Sequence, residues 1–190
     1  MTAGDVSTGY TRPVAGSTGA HQVTKAVTTP ASGAAKTDTF TYDAAGNTLT
    51  RALAGQSKQT LTWDAEGRLA SLTAGTTNHS YTYTADGDRL VRREANTTTV
   101  YLPGGGEISR TGSTTSAIRY YAFNGNVVAS RTTTGAAGVT TVVGNSQHTP
   151  QLAINNGSNT PVRRHHDPYG NPRDKTPVTW VGDHGFLDKP

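Results

Sequence analysis

An eight-residue phrase occurs three times between residues 40 and 88 of the chain. Phe40-Thr41-Tyr42-Asp43-Ala44-Ala45-Gly46-Asn47 returns as Leu61-Thr62-Trp63-Asp64-Ala65-Glu66-Gly67-Arg68 and again as Tyr81-Thr82-Tyr83-Thr84-Ala85-Asp86-Gly87-Asp88. The aromatic anchor steps from Tyr42 to Trp63 to Tyr83, 21 and then 20 residues apart, and Gly46, Gly67 and Gly87 keep pace with it. A fixed period of this size marks a repeat architecture, in which each unit covers its apolar face with its neighbour.

Each phrase has the pattern of one β-hairpin. Before the turn, Phe40 and Tyr42, Leu61 and Trp63, and Tyr81 and Tyr83 alternate with Thr. A period of two puts each apolar pair on one face of a strand and the threonines on the other. Both residue types suit a pleated, half-buried surface. The Asp-Ala-x-Gly that follows is turn chemistry: Asp bonds its own backbone at the first position, and Gly takes the positive φ that closes the turn. Return strands then carry Leu49, Leu69 with Leu72, and Leu90 as apolar positions.

These residues resemble the YD repeat of the Rhs (rearrangement hotspot) family, which includes the C components of insecticidal Tc toxins and the animal teneurins. Tyr42-Asp43-Ala44-Ala45-Gly46-Asn47 matches that repeat closely, Trp63-Asp64 is a common variant, and Tyr83-Thr84 lacks the Asp. The resemblance implies an all-β fold of successive antiparallel hairpins in a curved sheet, a segment of a hollow β-shell. In bacterial members that shell encloses a toxic C-terminal segment. Tyr42, Asp43, Gly46, Trp63, Asp64, Gly67, Tyr83 and Gly87 would then set the pitch of a wall.

Composition narrows the alternatives. Only 33% of residues are hydrophobic, Ala among them, and 16% charged, and Thr, Ser, Gly and Asn make up most of the balance, as in a thin, solvated sheet. No segment approaches the roughly 18 apolar residues of a membrane span, and no signal-peptide pattern is visible at the start. The expectation is a secreted or cell-surface location as part of a larger exported protein. With no cysteine there is no disulfide framework and no thiolate metal site. The net charge of +4 is spread thinly, with Arg92-Arg93 and Arg163-Arg164 as adjacent pairs, which argues against nucleic acid as a partner.

Four regions follow along the chain. Residues 1–38 read as a loosely held start and one strand with weak alternation over His21 to Val27, and His21 to Thr29 resembles the return half of a partial repeat. Residues 39–94 hold the three clear hairpins, and residues 95–160 continue as degenerate ones. There Thr99-Leu102 meets Glu107-Arg110 through Pro103-Gly104-Gly105-Gly106, Ile118-Phe123 meets Asn126-Arg131 through Asn124-Gly125, and Val139-Val143 meets Gln151-Ile154. Asn-Gly between alternating runs is a strong hairpin signal.

In residues 161–190, Pro161, Pro168, Pro172, Pro177 and Pro190 exclude long central strands. This tail resembles the Rhs-associated core through Arg163-Arg164, Asp167-Pro168-Tyr169-Gly170-Asn171-Pro172-Arg173 and Trp180-Val181-Gly182-Asp183-His184-Gly185-Phe186-Leu187. The resemblance implies structural roles for Asp167, Pro168, Gly170, Asp183, Gly185 and Phe186, and places the family's self-cleavage site after Pro190.

Candidate chemistry is sparse. Self-cleavage by an aspartate pair needs two carboxylates that share one proton, and the tail offers Asp167, Asp174, Asp183 and Asp188. Asp167, held extended before Pro168, reads as a turn opener. His165, His166, Asp167 and His184 have metal-ligand character, but adjacent histidines on a strand point to opposite faces. Gly104-Gly105-Gly106 reads as a turn, since no helix follows to cradle a phosphate. Tyr120 and Tyr121 could stack on a sugar, with one of the two facing the core. The expectation is a structural shell segment with no catalytic residue, cofactor or metal. Its partners are the remainder of a shell or its effector, further copies at open sheet edges, or a glycan.

Overall fold

The computed structural model describes residues 6–133, 138–174, 176 and 178–188, so Pro177 and Pro190 lie outside the described residues. The chain divides into two compact units, Met1–Ala95 and Asn96–Pro190.

The first unit contains β1 (Ser7–Thr11), β2 (Lys25–Thr29), β3 (Lys36–Tyr42), β4 (Thr48–Ala52), β5 (Gln59–Trp63), β6 (Leu69–Ala74), β7 (Thr77–Tyr83) and β8 (Arg89–Glu94). Each pairs antiparallel with its neighbours in sequence. The single strand expected before residue 38 is a correction: β1 and β2 both lie there, and β3 already begins at Lys36. β1 is Ser-Thr-Gly-Tyr-Thr and exposed throughout, so it has no apolar alternation to read. Its ladder to β2, with Gly9 opposite Val27, makes it a strand.

Alternation works as the sequence indicates. Phe40, Tyr42, Leu61, Trp63, Tyr81 and Tyr83 are buried or half-buried, while Thr39, Thr41, Thr60, Thr62 and Thr82 are exposed. On that exposed face hydroxyls pair across strands, Thr41 with Thr50 and Thr62 with Ser71, both at 2.7 Å. Such pairs are a unit of sheet stability.

The return strands hold a feature the alternation did not show. Tyr42 pairs with Thr48 but Thr41 with Thr50, so Leu49 is an extra residue. Ala70 and Leu90 are extra in the same way, because Trp63 pairs with Leu69 and Thr62 with Ser71, and Tyr83 pairs with Arg89 and Thr82 with Val91. A β-bulge thus follows every repeat turn, and a bulge bends and twists its strand. Leu69 pairs with the anchor, whereas Leu49 and Leu90 occupy the bulge, so these leucines are not equivalent positions.

The second unit contains β9 (Thr97–Leu102), β10 (Gly106–Thr111), β11 (Thr114–Phe123), β12 (Asn126–Thr132), β13 (Val139–Gly144), β14 (Pro150–Asn155) and the short β15 (Pro161–Arg163). They also pair antiparallel in chain order. Asn124 and Gly125 both have positive φ, 49° and 76°, the twist that suits a two-residue hairpin.

One face of this sheet is buried. Thr99, Glu107, Tyr120, Ser130, Thr140, Val142 and Ala153 form its inner row, which is more polar than apolar. Tyr121, next to Tyr120 in sequence, is exposed on the other face. Residues 178–188 form a strap against the buried face, ending in one 3-10 turn, Phe186–Asp188.

Candidate functional site: capped turns and a strapped carboxylate

Turn chemistry builds the repeat. Gly46 N–H donates to Asp43 O at 3.1 Å and Asp43 N–H to Asn47 O at 2.9 Å, closing a five-residue loop. Asp43 Oδ1 accepts Asn47 N–H at 2.8 Å and Oδ2 accepts the Asn47 amide at 3.0 Å. Those bonds, the Asn47 side chain first, hold the Asp43 carboxyl below the usual range. Asp64 does the same with the N–H groups of Arg68 and Glu66, at 2.8 and 3.0 Å, and pairs with Arg68 Nε at 2.9 Å. In the third copy the Thr84 hydroxyl takes the place of the carboxylate, accepting Asp88 N–H at 3.2 Å. Gly46, Gly67 and Gly87 have φ of 93°, 74° and 89°, the left-handed conformation the loop requires.

The same loop recurs twice in the second unit. In Asn145–Thr149, His148 N–H donates to Asn145 O and Asn145 N–H to Thr149 O, both at 3.0 Å. Asn145 Oδ1 accepts the N–H groups of Gln147 and Thr149, and His148 stands where a glycine would, at φ 65°. In Asp167–Asn171, Gly170 N–H donates to Asp167 O at 3.1 Å, and Asp167 Oδ1 and Oδ2 hold the Asn171 backbone and amide at 2.9 and 2.8 Å. Asp167-Pro168-Tyr169-Gly170-Asn171 is therefore a copy of the Asp43 loop, closed by a bridge from His166 to Pro172.

Aromatic anchors stitch successive hairpins together. Tyr42 O–H donates to Val23 O at 2.8 Å, Trp63 Nε1–H to Thr48 O at 2.8 Å, and Tyr83 O–H to Leu69 O at 2.9 Å. Thr48 and Leu69 are the residues paired with the preceding anchors, so the donors of the second and third copies land on equivalent carbonyls. Arg68 adds a second stitch, its guanidinium 5.0 Å from the Tyr83 ring centre and 3.0 Å from Thr84 O.

The strap meets the strands of the second unit at a buried carboxylate. Tyr120 O–H donates to Glu107 Oε1 at 3.0 Å and accepts Asp183 N–H at 3.1 Å, while Tyr101 O–H donates to Asp183 Oδ2 at 2.8 Å. Glu107 is only 4% exposed, and its Oε2 has no hydrogen-bond partner among the described residues. Burial, then the Asp183 charge, pushes the Glu107 carboxyl upward. Gly182 lies directly on Tyr120, at φ 72°, and a Cβ there would overlap the phenol oxygen. The His184 ring lies 4.1 Å from the Tyr120 ring, and its Nδ1 is hydrogen-bonded to Asp188 at 2.7 Å.

Further contacts fix the strap's ends. Leu187 N–H donates to the buried Thr149 hydroxyl at 3.0 Å, and Asp188 N–H to Gly185 O at 3.2 Å. Phe186 packs on Gly170, where an added Cβ would come within 2.9 Å of the ring. Arg164 donates to Pro150 O at 2.9 Å and to His184 O, and its guanidinium lies 3.9 Å from the Trp180 ring. Burial lowers its pKa to about 10. The tail histidines have separate partners, His165 with Asp174 and His184 with Asp188. Sequence spacing carries no signal that joins Glu107 and Tyr101 to Asp183, from which they lie 76 and 82 residues away.

No protein-family profile and no curated protein matches the chain. Solved structures do match. The TcdB2-TccC3-Cdc42 crystal structure aligns at a TM-score of 0.53 and 21% identity, over 82% of this chain and 10% of that one. The Photorhabdus luminescens Tc holotoxin pore with a mutated TccC3 gives 0.53 and 20%, over the same shares, 82% and 10%. TcdB2-TccC3 without its hypervariable C-terminal region gives 0.53 and 22%, again over 82% and 10%. The likeness is one of fold, and the chain spans about a tenth of the length of these neighbours.

Proposed function

We infer that the chain is a stretch of wall in an Rhs-type shell of the Tc-toxin kind, and that its part is structural. The supporting observation is the hairpin step. Left-handed turn residues recur at Gly46, Gly67 and Gly87 in the first unit and at Gly105, Gly125, His148 and Gly170 in the second. The steps are 21, 20, 18, 20, 23 and 22 residues, so a spacing near 20 continues where the sequence repeat fades. A sheet built this way walls off a volume without chemistry of its own. Its partners are the rest of the shell and an enclosed C-terminal effector, and it reaches the outside of the cell with them. The outer side of β1, unpaired among the described residues, is where another strand would add.

Replacing the matching tenth of the aligned chain in a TcdB2-TccC3 assembly with this one, and imaging the assembled shell by electron cryomicroscopy, tests the reading. Continuous wall density through the exchanged stretch supports it; a segment hanging outside a gapped wall ends it. Intact mass after prolonged incubation in acid and at neutral pH tests the absence of self-cleavage, and a new pair of fragments would contradict it.

One groove favours a second reading, a carbohydrate-binding or adhesion module. Phe123, 75% exposed, lines it with Asn124, Asn126 and Ser146, which offers a ring for a sugar face and amides for hydroxyls. A glycan array with Phe123→Ala and Tyr121→Ala separates the two readings.

A further inference from the structure

The second unit has two unlike faces. The strap covers one. On the other, Arg119 of β11 stands directly opposite Arg131 of β12, and both are exposed. Like charges facing each other across a strand pair destabilise it. Among the described residues no carboxylate pairs with either arginine. The acidic residues of this unit lie elsewhere: Glu107 has its carboxyl turned to Tyr120, and Asp167, Asp174, Asp183 and Asp188 belong to the tail. A sheet face holding two opposed guanidinium groups and no counter-charge is complementary to an anion.

The anion site opens into an apolar groove. Leu102, Pro103, Ile108 and Ala117 line it together with Arg119 and Arg131. Leu102 is 43% exposed and Ile108 38%. A ligand that fills this groove therefore carries negative charge and an aliphatic group close together. In an extended chain, side chains two residues apart share one face and stand about 7 Å apart, a spacing that lets one enter the groove while the other meets the arginines. Guanidinium groups take carboxylates in a two-pronged fashion. Single-stranded nucleic acid is a poorer match, since it needs stacking aromatics along a cationic track. An anionic membrane is poorer too, since it is drawn by clusters of roughly four to eight cations.

We propose that this groove binds an extended acidic peptide segment, with a carboxylate on the Arg119–Arg131 pair and an aliphatic side chain two residues along it between Leu102 and Ile108. The site is independent of the wall reading, which stands whether or not this face takes a ligand.

The test uses the full chain and a fluorescein-labelled peptide of repeated Glu-Ser-Leu-Ser, which places Glu and Leu on one face of an extended chain, read by fluorescence anisotropy. The peptide binds, and binding weakens as salt rises. The double variant Arg119→Gln, Arg131→Gln loses about tenfold or more in affinity. Ile108→Thr weakens binding while leaving the salt dependence in place. Removing the opposed charges leaves the double variant at least as heat-stable as the parent, so lost binding is not unfolding. The proposal is overturned if a peptide of repeated Lys-Ser-Leu-Ser binds equally well or if the double variant binds as the parent does. It is also overturned if polyuridine RNA or phosphatidylserine vesicles bind more tightly than the peptide through the same arginines.

Discussion

The first unit holds its hairpins locally, whereas the second relies on a clamp. In the three repeats between residues 40 and 88 each loop closes within five residues and each anchor reaches back one hairpin, and of the described residues in this unit only Ala26 and Leu61 are buried. In the second unit the turn residues drift, yet a buried row runs from Thr99 to Ala153, and the strap binds it at Glu107, Tyr120 and Thr149. A thin sheet is thus held in two ways. Many equal short-range bonds spread the stability evenly, while a long-range clamp concentrates it in a few fitted residues and frees the turns to vary.

The largest expected effect lies in the clamp. Gly182→Ala puts a methyl group into Tyr120 at a left-handed backbone position, and should cost about 3 kcal/mol. Thermal unfolding, with Trp180 emission as the local probe in a Trp63→Phe background, reads it. Gly67→Val in the first unit meets no neighbour within 4 Å, so only the backbone penalty of about 1–2 kcal/mol applies. Equal costs at the two glycines would erase the contrast.

Cutting a single stitch should do less. Trp63→Phe and Tyr83→Phe each remove one donor from a neighbouring carbonyl, at about 1 kcal/mol apiece. Denaturant unfolding checks both, and the losses should add, because the two bonds lie in different hairpins.

The units should also respond to pH in opposite senses. Burial and Asp183 raise the Glu107 carboxyl above its ordinary value, so the folded strap retains a proton that the unfolded chain gives up. Its contribution is full below the ordinary glutamate range and is lost as pH rises through the raised value. Asp43 and Asp64 are held low by their loop bonds, so the turns keep their contribution above the ordinary aspartate range and lose it as pH falls through the lowered values. Hydrogen exchange corrected for intrinsic rates should speed up in acid at the Asn47 and Arg68 amides. Trp180 emission should shift as pH rises from acid toward neutral, and Glu107→Gln should flatten that shift.

The smallest effect sharpens the comparison from the other side. His148 occupies a left-handed position that glycine fills in the clear repeats. His148→Gly should stabilise the second unit by up to about 1 kcal/mol, measured as a raised unfolding midpoint.

Much of the fold was legible because its signals are short-range. Phe40 with Tyr42, Leu61 with Trp63, and the glycines that follow give strand, turn and period without tertiary information. Asn124-Gly125 likewise marks its hairpin. The bulges at Leu49, Ala70 and Leu90 were not legible, since a strict period of two has no place for an extra residue. The Asn145 loop was hidden because His148 replaces the glycine, whereas Asp167 was legible as a turn opener and the structure adds that its loop copies the Asp43 one. β1 stayed hidden because no residue in it is buried. The strap cluster is illegible for a different reason: Glu107 and Asp183 meet through Tyr120 only after the sheet has formed.

The stitched hairpin ladder is tested most directly by through-space proton contacts in solution. The account predicts a close contact from the Trp63 indole N–H to Thr48, and contacts from the Tyr83 ring to Leu69 and from the Tyr42 ring to Val23. Anchor protons that instead contact segments outside the preceding hairpin, or a Trp63 indole proton that exchanges as fast as in the unfolded chain, would contradict it.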